Sequence, residues 1–163
     1  MTDIKHDEGL LQRAQQLCAA REYCVSEITS KIISWGENDS QVIERITGKL
    51  ISEKFIDEER YCRAYARDHF KYQHWGKVKI SAGLRIRKIP AGVIAAGLAA
   101  IEDAEYTATL MELLKSHRRS VKAKNSYDLK GKLVRYALGK GFESQVVFGA
   151  VNSLFSGSSS DQE

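Results

Sequence analysis

The sequence predicts an all-α protein: three tandem three-helix, helix-turn-helix-like repeats in a curved, elongated array. Three observations predict it. Nearly every segment spaces its apolar residues helically, and the β-branched runs are short and lie inside those patterns. A single proline, Pro90, leaves long stretches without a helix breaker. A pattern also recurs. Ile28-x3-Ile32, a glycine turn and Val42-Ile43 are followed by Ile80-x3-Leu84, a turn and Val93-Ile94, then by Leu129-x3-Leu133, Gly-Lys-Gly-Phe and Val146-Val147. Copies lie about fifty residues apart, a period typical of helical repeats. A three-helix unit of that size has a small core, so neighbours are expected to share buried surface.

The spacing predicts helices near residues 8–21, 25–35, 39–53, 57–73, 77–88, 90–101, 103–119, 126–139 and 143–155. They group into repeats at 8–54, 55–101 and 102–155, with a small, polar, disordered tail at 156–163. Gly36, Gly76, Gly139 and Gly141 sit where helices should stop in the left-handed conformation. Pro90 suits a first helical position, and Asn38 with Gln41 resembles a capping box. In FIDEERYCRAYARDHF, residues 55–70, Asp57 is placed to cap, and Glu58 and Glu59 meet the positive end of the helix dipole. Ile56 and Tyr61 have the spacing of a hydrophobic staple. At about 100° per residue, Tyr61, Cys62, Tyr65, His69 and Tyr72 share a packing face. Arg60, Arg63, Arg67 and Lys71 form a basic stripe opposite; a solvated cationic face is its bland reading.

The charge distribution bears on that choice. The net charge of +4 hides an asymmetry. Residues 1–59 hold seven Lys/Arg and twelve Asp/Glu; residues 60–140 hold eighteen and six. No acid occurs between Asp68 and Glu102, where Lys71, Lys77, Lys79, Arg85, Arg87 and Lys88 lie. None occurs between Glu112 and Asp128, where Lys115, Arg118, Arg119, Lys122 and Lys124 lie. Such a field favours a polyanion or an acidic protein groove. Tyr61, Tyr65 and Tyr72 read as core, and Trp35 and Trp75 as turn anchors, so no exposed aromatic series is expected for stacking on bases.

No catalytic constellation, metal site or cofactor is expected. The histidines His6, His69, His74 and His117 are scattered, no glycine-rich loop precedes a Lys-Ser/Thr pair, and Gly-Lys-Gly at 139–141 is too short to cradle phosphate. Cys18, Cys24 and Cys62 lack ligand spacing and read as reduced fillers of a cytosolic protein. No apolar run is long enough to span a membrane, and the polar start MTDIKHDEGLL is unlike a signal peptide.

FIDEERYCRAYARD, followed by WGKVKI, resembles the central signature of the RecX regulatory proteins through Phe55, Asp57, Arg60, Tyr61, Ala64, Arg67 and Trp75-Gly76. Arg21, Ser26 and Glu27 in REYCVSEITSKI resemble the family's first module, and LGKGFESQVV its third-module turn. Phe55, Asp57, Tyr61, Tyr65, Trp75 and Gly76 would be structural parts of that signature. Arg60 matches it too, which leaves open a structural pair in place of a partner contact. One departure is local: Arg87-Lys88-Ile89-Pro90 stands where the family often has a glycine turn. The resemblance implies a bent rod of three modules that binds filaments of the recombinase RecA on single-stranded DNA. It implies inhibition of ATPase, coprotease and strand exchange, and DNA binding, with double-stranded DNA left open. A cytoplasmic monomer is expected. The contact residues would be the stripe, the five bases from Lys77 to Lys88, and Arg118, Arg119, Lys122 and Lys124. The pattern of basic three-helix modules also fits a tandem helix-turn-helix DNA-binding protein acting without a recombinase.

Overall fold

The computed structural model describes residues 4–159. These form α1 (Ile4–Ala20), α2 (Val25–Ser34), α3 (Ser40–Ser52), α4 (Glu58–Gln73), α5 (Lys77–Ile86), α6 (Ala91–Leu98), α7 (Asp103–Ser120), α8 (Ser126–Gly139) and α9 (Ser144–Ser159). No strand occurs among the described residues. The all-α helical repeat is therefore as the apolar spacing predicts. α9 continues to Ser159, into the segment expected to be a disordered tail. Serine and glycine lower helix propensity there without removing a backbone donor as proline does. The rest of that expectation, residues 160–163, lies outside the described residues.

Two compact units make up the chain. Unit 1 is Met1–Tyr65 with Gly83–Gly97, and unit 2 is Ala66–Ala82 with Leu98–Glu163. α4 and α5 each give residues to both. In unit 1, α1, α2 and α3 pack on one another around buried Leu10, Ala14, Ile28, Ile32, Val42, Ile46 and Leu50. The first half of α4 belongs to this unit and buries Tyr61 and Cys62. A Cβ at Gly97 would lie 2.3 Å from the Cβ of Cys62, so α6 approaches α4 at a separation only glycine permits.

In unit 2, α7, α8 and α9 pack around Leu110, Leu114, Leu133, Ala137, Val147 and Val151. The end of α4 inserts Phe70, whose ring lies 5.7 Å from that of Tyr106, itself 5.1 Å from Phe142. The Trp75-Gly76 turn docks on the Gly139–Phe142 turn. Gly76 N–H donates to the Lys140 carbonyl at 2.8 Å, and Val78 N–H to that of Gly141 at 2.9 Å. Lys77 N–H donates to the Tyr106 hydroxyl at 2.9 Å, and that hydroxyl donates in turn to the Glu143 carboxylate.

The glycines divide into two kinds. Gly36 (φ 101°) and Gly141 (φ 96°) are left-handed as expected, but Gly76 and Gly139 are not. His74 (φ 56°) takes the left-handed position at the end of α4. Gly76 answers to a different constraint: its missing Cβ would stand 2.3 Å from backbone atoms of Gly141 and Phe142. Lys88 is left-handed too (φ 61°), so lysine occupies the conformation that glycine would supply in the divergent turn. Asp57 caps α4 as expected, accepting from Arg60 N–H at 3.0 Å. At α3 the cap is Asp39, which accepts from Gln41 N–H at 2.9 Å, and not Asn38, one residue too far from the first turn.

Candidate polyanion-binding surface

α4 carries the stripe, and its buried face is turned slightly from the one expected. Tyr61, Cys62, Ala66 and Phe70 are buried and Tyr65 and His69 half-buried, but Tyr72 is 70% exposed. The helical spacing places Tyr72 in the core. Centring the buried arc on Cys62 and Ala66 instead leaves Tyr72 at its edge in the final turn, and Phe70 fills the interior. Arg67 and Lys71 still face solvent.

The predicted contact residues meet different fates. Arg60 turns inward within unit 1: its Nε donates to Glu22 Oε1 at 2.7 Å, and its Nη2 to the carbonyls of Lys54 and Phe55 at 3.3 Å. It ties the start of α4 to the segment before α2, the structural alternative that its signature match left open. Arg87 is similarly engaged. Its Nη1 donates to the Gly83 carbonyl at 2.8 Å, its Nε lies 3.9 Å from Glu27, and its guanidinium stands 5.0 Å from the Tyr65 ring centre. Glu27 also accepts from Cys24 N–H at 3.1 Å, so one carboxylate caps α2 and faces Arg87. Burial, then the negative charge of Glu27, pushes the Tyr61 hydroxyl well above its usual range, keeping it neutral.

Other bases are held more loosely. Arg63 pairs with Glu59 one turn back at 2.9 Å, an exposed contact that fixes little. Lys77 Nζ lies 3.8 Å from Asp103 and 4.8 Å from the Tyr106 ring centre. Lys79 stands 4.8 Å from the ring centre of Trp75, and Arg118 4.9 Å from that of Phe155. Arg67, Arg85, Lys88, Arg119, Lys122 and Lys124 are exposed, and no carboxylate pairs with their side chains among the described residues. These cations keep their charge available to a partner.

The residues considered for chemistry have structural settings. His69 packs 4.5 Å from Trp75, and His117 stacks on Tyr136 at 3.8 Å. Cys24 and Cys62 are buried, and burial pushes the Cys62 thiol up to about 11. Glu58 sits in the first turn of α4, where burial raises its pKa. No group of three His, Cys, Asp or Glu gathers to hold a metal, and no helix is long and apolar enough to cross a membrane, among the described residues.

Besides Tyr72, sequence reasoning missed two further exposed aromatics in unit 2. Tyr127 is 89% and Phe148 51% exposed, and both line a groove with Lys124, Lys130 and Arg135. The spacing held a signal for Tyr127, which falls off the Leu133–Ala137 stripe of its helix.

This architecture defines the class first: an all-α helical-repeat protein with exposed cations along its helices. Models of the second and third three-helix domains of RecX match residues 57–98 and 103–151. The chain belongs to the RecX family. It is 25% identical over 150 residues to the Regulatory protein RecX of Geobacillus thermodenitrificans (strain NG80-2), covering 90% of this chain and 55% of the relative. It thus spans about half the length of that curated relative. The crystal structure of RecX from Lactobacillus salivarius superposes with a TM-score of 0.80 at 19% identity, over 91% of this chain and 96% of that one. A second crystal structure, of a regulatory protein RecX, gives 0.77 at 20% identity over 86% and 68%. At such identities these two likenesses speak for the fold.

Proposed function

We propose that this protein is a non-catalytic negative regulator of the RecA recombinase. It binds the RecA–single-stranded DNA filament, contacts DNA as well, and inhibits ATPase and strand exchange. Membership of the RecX family carries this reading. The exposed cations support it: Arg85 and Lys88 in unit 1, and Arg67, Lys71, Lys79, Arg119, Lys122 and Lys124 in unit 2, joined by the half-buried Arg63, Lys77 and Arg118. Arg60 and Arg87 leave the contact set because their guanidinium groups are engaged inside unit 1. The reading keeps three modules at 8–54, 55–101 and 102–155, acting as a monomer in the cytoplasm.

Charged contacts spread over helical modules would give binding that weakens with salt, through screening and counterion release. A protein bound across neighbouring protomers would occupy the space of a second DNA strand and oppose the motions coupled to ATP turnover. The test is RecA's DNA-dependent ATPase with and without this protein. A dose-dependent fall is expected. An unchanged ATPase, together with preference for particular duplex sequences, would favour the recombinase-independent DNA binder instead.

A further inference from the structure

We infer that the groove between α8 and α9 in unit 2 holds an unpaired base of single-stranded nucleic acid. Its ring stacks on Tyr127 and Phe148, and Lys124, Lys130 and Arg135 hold the neighbouring phosphates. The inference rests on the DNA contact proposed above, and gives that contact a place and a chemistry.

The groove encloses about 530 Å³, within the size range of sites that take small ligands. A lone exposed aromatic is ordinary on a protein surface. Here two line one groove together with three cations. That is the combination single-stranded nucleic acid uses: ring faces that accept any base, and positive charge that follows the backbone.

The floor is open for a reason that helix formation does not supply. Gly131 lies inside α8 and lines the groove, without the positive φ that would call for glycine. Glycine in a helix interior is unfavourable relative to almost any side chain. A Cβ there would lie 3.6 Å from Nη1 of Arg135, so that guanidinium lies back along α8 beside the bare floor.

Charge argues for a polyanion over a protein segment. From Lys115 to Lys140 the chain holds nine Lys/Arg and a single acid, Asp128. The Asp128 carboxylate is already committed: it accepts from Lys124 N–H at 3.0 Å and lies 3.3 Å from Lys132 Nζ. Lys130 Nζ stands 5.0 Å from the Phe155 ring centre, a contact that leaves its charge in place. No ion pair engages the side chains of Lys124, Lys130 or Arg135 among the described residues.

The experiment measures fluorescence anisotropy of labelled oligothymidylate and of an abasic strand of equal length, across a salt series. The full chain should bind oligothymidylate roughly tenfold tighter than the abasic strand, the worth of a stacked base. Tyr127→Ala with Phe148→Ala should erase that preference and leave the salt slope unchanged. Lys124→Ala with Arg135→Ala should lower the slope by about 0.7 for each phosphate that is no longer neutralised. Gly131→Leu should raise the melting temperature and weaken oligothymidylate binding, which separates a blocked groove from a damaged fold. Equal binding of both strands by the parent would overturn the stacking site while leaving the proposed DNA contact standing. Binding of neither strand would overturn both. An aromatic variant that binds DNA like the parent but inhibits RecA less would assign the groove to a protein, and overturn the inference.

Discussion

Gly76→Ala tests the junction on which unit 2 is built. The added Cβ would stand 2.3 Å from the carbonyl carbon and oxygen of Gly141 and from the Phe142 nitrogen. Those are backbone atoms, so no side chain can swing aside. Either the Trp75-Gly76 turn or the Gly139–Phe142 turn must withdraw. Withdrawal stretches the bonds from Gly76 N–H to Lys140 and from Val78 N–H to Gly141, now 2.8 and 2.9 Å. Two hydrogen bonds at about 0.5–1.5 kcal/mol each, plus about 1–3 kcal/mol for overpacking, give roughly 2–6 kcal/mol. At about 2–4 °C per kcal/mol for a chain of this size, unit 2 should melt many degrees lower. The assay is urea and thermal unfolding by circular dichroism, with Gly92→Ala as control. Gly92 lies in α6 with open space around its Cβ position, so alanine there should stabilise by up to about 1 kcal/mol. If Gly76→Ala were tolerated as well as Gly92→Ala, close backbone approach would not be the reason for glycine at this site.

Lys88→Gly should stabilise by a few tenths to about 1 kcal/mol, because Lys88 sits at φ 61°; urea unfolding beside Lys88→Ala, which removes the charge but keeps the Cβ, separates backbone relief from charge. Asp57→Ala should lose about 0.5–2 kcal/mol with its cap, read by the same unfolding curves, and Asp57→Asn should recover most of it. Reversing Arg63 and Arg67 to Glu should shift stability by less than about 0.5 kcal/mol, since both lie off the core, yet sharply weaken inhibition of RecA ATPase. A folded double variant that inhibits like the parent would reduce the stripe to a solvated face. Burial, then the bond to Glu143, raises the Tyr106 pKa. Above about pH 10 the unfolded chain releases this proton while the folded chain keeps it, so stability should fall as pH rises through that range. Tyr106→Phe should make the alkaline decline in urea-unfolding stability shallower.

Helix positions, the Asp57 cap and the basic stripe were legible in the sequence, because each depends on neighbours three or four residues away. Apolar spacing states which residues share a helix face, and a capping carboxylate needs only the next turn. Arg60 and Arg67 look alike at that range, both on the polar side of one amphipathic helix. Tertiary structure separates them: Arg60 meets Glu22 and the carbonyls of Lys54 and Phe55, while Arg67 meets solvent. The exposure of Tyr72 was hidden for a related reason, since helical spacing orders residues around an axis without saying where the partner stands. Gly76 reads locally as a helix stop, yet its need for glycine comes from Gly141, a contact across the unit that no local pattern encodes. The cationic composition around residues 115–140 was visible from the start. That two aromatics and the bare floor of Gly131 share one groove with those charges was decided only when α8 and α9 packed together.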